Sequence, residues 1–309
     1  MDKRVVDIVM ATYNGSRYLP GQLASLQRQS YPHWRLLVHD DGSSDGTVEL
    51  LRQWQRQDSR IRLLEDGITG LGPAQNFLHL LSHSTAPFTL CCDQDDIWLP
   101  RKTEKLLAAV RSESVPAMAY SNAWFYVDGQ PTDRPAIHIH PGNGLRSALF
   151  MNGGVLGCTM IINRALREII LPGPPAVAMH DHLITMAAIC TGHIRYVDEP
   201  LLYYRQHPRN VTGTQAKSIG GRLRELLLTR HPVVDRRHYE ANKALYGYLE
   251  HRLSAEQRSL FGAYFRYAGG ASYAERVTLI LKYGFTLGSQ TGRLLLKTLL
   301  RRPITPKQP

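Results

Sequence analysis

Three carboxylates crowd one short stretch, "TLCCDQDDIWLPRK": Asp93, Asp95 and Asp96 come directly after an apolar run. Like charges this close repel, so such a loop costs free energy unless a cation or a substrate sits there. A D-x-D spacing on a tight loop lets one or both carboxylates reach a single divalent ion, directly or through water. An ion so held neutralises charge on a departing diphosphate. Two further polar clusters follow apolar runs, "ATYNG" at 11–15 and "DDGSSDG" at 40–46. An aromatic and a carboxylate there suit a nucleobase: Tyr13 to stack, and an Asp to accept the N3–H of a pyrimidine. A nucleoside diphosphate sugar fits these pieces part by part.

The elements that must position these residues are legible as alternating patterns. Strands are expected over Val5–Tyr13, Trp34–Asp41, Arg60–Glu65 and Pro87–Asp93. Helical patterns fall between them, over Arg17–Gln29, Asp45–Gln57 (opened by an acidic N-cap) and Pro73–His83. Strands alternating with helices of this length give right-handed βαβ units, hence an α/β fold with a mainly parallel sheet covered on both faces. In such sheets ligands bind at the carboxyl ends of the strands, where all three polar clusters lie. The middle is less regular, with strands expected at Ala117–Val127 and Gly157–Asn163, a buried helix at His180–Gly192 and a closing segment at His193–His207.

Charge divides the chain unevenly. Of 37 Lys+Arg and 26 Asp+Glu, residues 1–216 hold 20 of each, so the net +11 lies wholly in residues 217–309. We therefore expect two parts: a neutral catalytic domain at 1–216 and a basic helical region at 217–309. A basic appendage suits an anionic membrane leaflet, a nucleic acid, or simply a solvated helical face. Cys91, Cys92, Cys158 and Cys190 sit in apolar surroundings without C-x-x-C spacing, as reduced core residues of a cytosolic protein do. The N-terminus enters a strand without a signal-peptide pattern, and no stretch has the length and apolarity of a membrane span. The expectation is a cytoplasmic protein with peripheral contact to the inner membrane's cytoplasmic face.

The segment "IVMATYNGSRYLPGQLASLQRQSYPHWRLLVHDDGSSDGT" resembles the opening of family-2 glycosyltransferases, inverting enzymes with the GT-A fold, and "DQDDIWLPRK" resembles their D-x-D loop. "YRQHPRNVTG" is similar to a segment of the rhamnosyltransferase-like branch that builds bacterial surface polysaccharides. The resemblance covers roughly residues 3–213 and implies a role for each matching position. Ala11 and Tyr13 line the base pocket, and Asp41 holds a uracil or thymine edge with Asp40 beside it. Asp93 and Asp95 are the D-x-D pair, Asp95 the first choice as ligand of Mg2+ or Mn2+, and Asp96 orients sugar hydroxyls. Inversion needs a base opposite the leaving group, and the matching position is Asp181 in "AMHDHLIT", where relatives carry Glu-Asp. His207 is a candidate third metal ligand or diphosphate contact, and Arg205 a phosphate contact. Trp98 reads as a packing residue, and Arg101 and Lys102 as a solvated first turn.

The implied reaction moves one sugar, L-rhamnose among the candidates, from a UDP- or dTDP-linked donor to a lipopolysaccharide or polyprenyl-linked glycan. A processive synthase is disfavoured by the missing spans and Q-x-x-R-W motif, and an oxidoreductase by the missing G-x-G-x-x-G. A sugar nucleotidyltransferase would show a richer glycine loop after the first strand. A nucleic-acid-binding protein would show a recognition motif, and the C-terminal aromatics instead have core-like helical spacing, so no nucleic-acid partner is expected.

Overall fold

The computed structural model describes residues 4–141, 144–153, 155–208 and 232–304. Its first half is β1 (Val6–Thr12), α1 (Leu19–Gln27), β2 (Trp34–Asp40), α2 (Thr47–Gln57), β3 (Ile61–Leu64), α3 (Gly72–His83) and β4 (Phe88–Cys92). After the acidic loop come β5 (Ile97–Trp98), α4 (Lys102–Val110), β6 (Ala117–Val127), β7 (Gln130–Pro135), α5 (Leu145–Ala148), β8 (Met160–Asn163), α6 (Arg164–Ile170), α7 (His180–Thr191) and β9 (His193–Arg205). The sheet runs β3-β2-β1-β4-β8-β6-β9-β5, with β7 on the outer part of β6. Strands β3, β2, β1 and β4 are parallel neighbours, β8 enters antiparallel, and β6 and β9 are again parallel.

Side-chain alternation sends each strand's residues to two separate cores, the behaviour of a sheet covered on both faces. Val9, Leu37, Cys91 and Ile162 enter one cluster, and Ile8, Leu36, Val38, Leu90 and Ile161 the other. Truncating any such fully buried Leu or Ile to Ala costs about 2–5 kcal/mol. All four cysteines are buried and free, as their apolar surroundings suggest.

Register fixes where the site must be. Thr12 pairs with Asp40 and Met10 with Cys92, so β1, β2 and β4 all finish at one edge. Tyr13, Asp41 and Asp93 follow immediately. Ile97 pairs with Tyr203 across β5 and β9, which returns Arg205 and His207 to the acidic loop.

The C-terminal helices are α8 (Arg236–Leu249), α9 (Ala255–Ala268), α10 (Tyr273–Tyr283) and α11 (Thr291–Leu300). Their starts are written in the sequence: Asp235, Ser254 and Ser272 cap α8, α9 and α10, with a full Ser254/Gln257 capping box. Leu245, Phe261, Tyr264, Ile280 and Leu294 from these helices share one apolar cluster with Leu183 and Ile184 of α7. Gln257 Nε2 also donates to the Cys190 carbonyl, 3.0 Å. The basic helical region thus packs into the core that supports α7. The boundary at 216/217 and the helical pattern "GRLRELLLTRH" lie outside the described residues. Among the described residues no helix is long and apolar enough to cross a membrane.

Candidate active site

At the end of β2 the two aspartates are occupied by backbone. Asp40 Oδ1 accepts the N–H groups of Gly42 (3.2 Å) and Ser43 (2.7 Å), while Oδ2 accepts Thr12 Oγ1 (2.7 Å) and Ser43 Oγ (2.6 Å). Asp41 accepts Leu71 N–H on Oδ1 (2.7 Å) and Gly72 N–H on Oδ2 (2.8 Å), tying the start of α3 to β2. A carboxylate has about four acceptor positions. Asp40 is therefore saturated by its own loop and by Thr12 of β1, whereas Asp41 keeps two positions, in a plane the α3 amides fix. Ala11 is half-buried, and Tyr13 projects into solvent, 58% exposed, with its ring face free to stack. The Gln94 side chain clasps the Tyr13 backbone, accepting its N–H and donating to its carbonyl, 3.0 Å each. That clasp ties the end of β1 to the acidic loop.

The loop itself is electrostatically strained. Burial, then the charges of Asp95 and Asp181, push Asp93 up to about 7. Asp96 has no exposed surface, and burial followed by Asp95 and Asp93 holds its carboxyl far above the usual range. Its Oδ1 accepts the Arg205 N–H (3.1 Å), while Oδ2, beside the Cys158 thiol, meets no partner of good geometry. A carboxylate this enclosed cannot meet sugar hydroxyls, which corrects the sequence expectation; it anchors the end of β9 to the loop. Asp95 bonds His207 Nε2 through Oδ2 at 2.7 Å. The His207 ring stacks on Tyr18 with centroids 4.8 Å apart. Arg205 Nε donates to the Asp95 carbonyl (2.7 Å), and its guanidinium lies over Tyr18 and Tyr126, 5.0 and 4.6 Å from the ring centres.

These donors fit a hard divalent cation. Carboxylates raised by burial and then by neighbouring like charges, one of them with a buried oxygen lacking a partner of good geometry, are stabilised by a positive charge. The expected set Asp93, Asp95 and His207 is brought together only in part: Asp95 and His207 are in contact, whereas the ligand atoms of Asp93 cluster with those of Asp96 and Cys158. Cys158 joins Asp93 and Asp96 in space, its thiol raised by burial first and then by those carboxylates; a soft sulfur is a poor match for a hard oxygen-seeking cation.

Asp181 lies in the first turn of α7, buried, with Met179 as the N-cap. Burial lifts it to about 6, against hydrogen bonds from the His182, Gly157 and its own N–H groups that pull it down. The His182 N–H reaches Oδ1 at 2.6 Å. Asp181's charge in turn raises Asp93, so the two acids share one low-dielectric pocket. His180 stacks on Phe77 at 3.9 Å with both ring nitrogens lacking a partner, and burial drives it down to about 3. A Cβ on Gly157 would fall 2.4 Å from His180 Nε2, so only glycine fits there. His182 is likewise buried and neutral, its ring 5.1 Å from that of His238 on α8.

One expectation is overturned outright. Lys102 is no solvated residue: it is fully buried, donates through Nζ to the Cys158 carbonyl, and lies 3.4 Å from the Trp98 ring centre. Burial lowers it to about 8, with Asp96 and Asp93 among the charges opposing the fall. It is an internal counter-charge under the acidic loop. Its place with Leu106 and Val110 at four-residue spacing, on the buried face of α4, was the signal available. Arg101 does face solvent, paired with Glu104. Trp98 packs as expected, 2% exposed. Tyr18 and Gln94 carry no sequence signal of their own.

Comparison with known proteins adds independent findings. The family model described as "Glycosyl transferase family 2" matches residues 7–168, just over half of the chain. The chain is 29% identical over 167 residues to WfgD of Escherichia coli, a UDP-Glc:alpha-D-GlcNAc-diphosphoundecaprenol beta-1,3-glucosyltransferase, covering 54% of this chain and 63% of that protein. It is 24% identical over 220 residues to the dTDP-rhamnosyl transferase RfbG of Shigella flexneri, covering 66% and 73%. The chain spans less than two thirds of the length of the first curated relatives it matches. Among solved structures, the mannosyltransferase PcManGT of Pyrobaculum calidifontis, crystallised with GDP-Man and Mn2+, superposes with a TM-score of 0.53 at 17% identity, over 97% of this chain and 87% of that one. The architecture is the GT-A arrangement expected, a curled and mostly parallel sheet with a C-terminal helical region, and by its sequence match the chain belongs to glycosyl transferase family 2.

Proposed function

We propose that the protein transfers one sugar, with inversion, from a UDP- or dTDP-linked donor to a polyprenyl-linked or lipopolysaccharide glycan. The observation carrying this reading is the electrostatic proximity of two buried acids, Asp93 and Asp181, raised to about 7 and 6, on the loop that also carries the Asp95–His207 pair and on the helix start facing it. Tyr13 stacks on the base, Ala11 lines its pocket, and the free acceptor positions of Asp41 take the N3–H. Asp40 serves by holding that loop. Arg205, already aimed by Tyr18 and Tyr126, meets the phosphates. A divalent ion, Mg2+ or Mn2+, held by Asp95, Asp93 and His207, would neutralise the departing diphosphate. Asp181 takes the proton from the acceptor hydroxyl as its oxygen attacks the anomeric carbon, and the bond to the diphosphate breaks on the opposite face. A base of pKa about 6 is ionised at neutral pH yet more basic than an exposed aspartate.

L-rhamnose from dTDP-rhamnose is the donor we assign first, on the "YRQHPRNVTG" segment and the likeness to RfbG. A lipid-linked acceptor is supported by the likeness to WfgD and by α11. That helix leaves Leu296, Leu299 and Leu300 45%, 61% and 47% exposed among Arg293, Lys297 and Arg301. Apolar and basic groups together suit the cytoplasmic leaflet of the inner membrane, each cation adding about 1 kcal/mol. We read 1–216 as the catalytic part and 217–309 as the part that both buttresses α7 and faces the membrane.

The test is nucleoside diphosphate release from a panel of UDP-, dTDP- and GDP-sugars with a polyprenyl diphosphate-linked acceptor, with and without EDTA. Turnover should need a UDP or dTDP donor, stop with EDTA, and return with Mn2+ or Mg2+; Asp95→Ala should weaken donor binding. Full turnover in EDTA would sink the metal role. Diphosphate release from a nucleoside triphosphate plus sugar 1-phosphate would make the protein a nucleotidyltransferase instead. Pelleting with anionic as well as zwitterionic vesicles alike, or with neither, would remove the membrane assignment.

A further inference from the structure

On the opposite side of β2 from the acidic loop lies a second cluster, built from three separate elements. His39 near the end of β2 is 1% exposed; Asp66 follows β3; His79 stands on α3. The His39 tautomer is set by its neighbour. Asn76 Nδ2 donates to the His39 carbonyl (3.3 Å), which turns Asn76 Oδ1 toward His39 Nδ1 at 2.8 Å. An amide oxygen accepts, so Nδ1 carries the proton and, in the neutral ring, Nε2 is a bare lone pair. That lone pair faces Asp66 Oδ1 at 3.3 Å. Two acceptors confront one another, and the contact is attractive only with a positive charge between them.

We propose that His39 Nε2, Asp66 and His79 Nε2 form a second metal site, for a borderline transition ion of the Zn2+ type. The three donor atoms lie within 4.8 Å of one another. The His39–Asp66 separation matches the edge of a tetrahedron with metal–ligand bonds of about 2.0–2.1 Å. Two imidazoles and one carboxylate are the donors such ions prefer over Mg2+. Asn76 supplies the outer hydrogen bond that orients a ligating histidine and raises its basicity. Asp66 Oδ1 also accepts the Ile68 N–H (3.0 Å), which holds the carboxylate in place. His79 Nε2 now bonds Asp66 Oδ2 at 2.7 Å, and that proton leaves when the ion enters. With Asp66 29% and His79 18% exposed, an ion reaches the site without unfolding, and a water or an outside ligand completes its shell. Bound there, it would clamp α3 to β2 immediately before Asp40 and Asp41. This inference does not depend on the sugar-transfer reading.

Zn2+ titration of the full chain against a chromophoric chelator, in excess Mg2+, tests it, with Co2+ absorption reporting tetrahedral geometry. One equivalent of Zn2+ should bind and should persist in Asp95→Ala, which disables the catalytic loop. His79→Ala and Asp66→Asn should each weaken it more than about 100-fold, beyond what outer partners contribute. Asp66 is exposed, so Asp66→Asn decides if His79→Ala fails to fold. Identical titrations of the wild type and Asp66→Asn, or loss of the ion in Asp95→Ala alone, would overturn the site.

Discussion

The loops after β2 and β4 are both acidic strand ends, separated in the sheet only by β1, yet they are held in opposite ways. Asp40 spends every acceptor position on its own turn and on Thr12 of β1, and Asp41 fixes the start of α3. The first loop holds its shape without a ligand, with only Asp41 keeping acceptor positions open. After β4, burial first and then neighbouring charges raise both acids, Asp95 and Asp181 acting on Asp93, and Asp95 and Asp93 on Asp96, and Asp96 Oδ2 has no hydrogen-bond partner of good geometry. Low dielectric makes such groups expensive to leave uncompensated. Sequence acidity alone does not distinguish the two. Hydrogen bonding does: a satisfied carboxylate builds the scaffold, and an unsatisfied one marks where charge must arrive.

The largest test of this contrast is Asp181→Asn. The side chain keeps its shape and its hydrogen bond from the His182 N–H, so folding and donor binding should hold. Loss of the base should lower kcat by about 10²–10⁴-fold with donor KM unchanged. A variant that transfers sugar at the parental rate would take Asp181 out of the reaction.

On the other loop the expected loss is of stability. Asp40→Ala leaves Gly42 and Ser43 N–H and two hydroxyls without their acceptor, and a buried or half-buried polar group so stranded costs about 1–3 kcal/mol. Chemical denaturation should show that drop, while Tyr13→Ala, whose ring is exposed, should alter donor KM and leave stability in place. If Asp40→Ala unfolds at the parental denaturant concentration but fails to bind donor, the first loop is no scaffold and the contrast collapses.

How much of this was readable beforehand follows the same physics. The strands β1 to β4 and β6 were legible within one or two residues because apolar runs and helical periods are local. β5 has two residues and β7 reads "QPTDRP", so neither carries a pattern, and both exist only by pairing with β9 and β6. In the candidate site, the acidic loop of Asp93, Asp95 and Asp96 stood out by type and spacing, whereas Asp181 was legible only through the family resemblance. What Tyr18, Gln94 and Lys102 do depends on partners 81 residues away for Gln94 and 56 for Lys102, and a local window cannot contain that. The acidic N-cap expected at α2 is displaced: Gly46 takes the cap position, and Asp45 accepts Thr47 N–H from just outside.

The smallest effect is the most discriminating, because it separates two acids in one pocket. Asp181 must be ionised to accept a proton and titrates at about 6 through burial, so with saturating metal kcat should rise with pH through about 6 and then level. At pH 5 roughly one molecule in ten would be competent, about a tenfold loss against pH 7. Asp93, at about 7, must also be ionised to hold a cation, but a bound cation favours its charged form and draws it down, out of the measured range. Limiting metal should therefore add a second proton to the acid limb and move it toward 7, while saturating metal leaves one proton near 6. A profile that ignores metal concentration would mean that the acid after β4 never meets the ion, and a flat profile from pH 5 to 8 would mean that the buried acid of α7 is not the base.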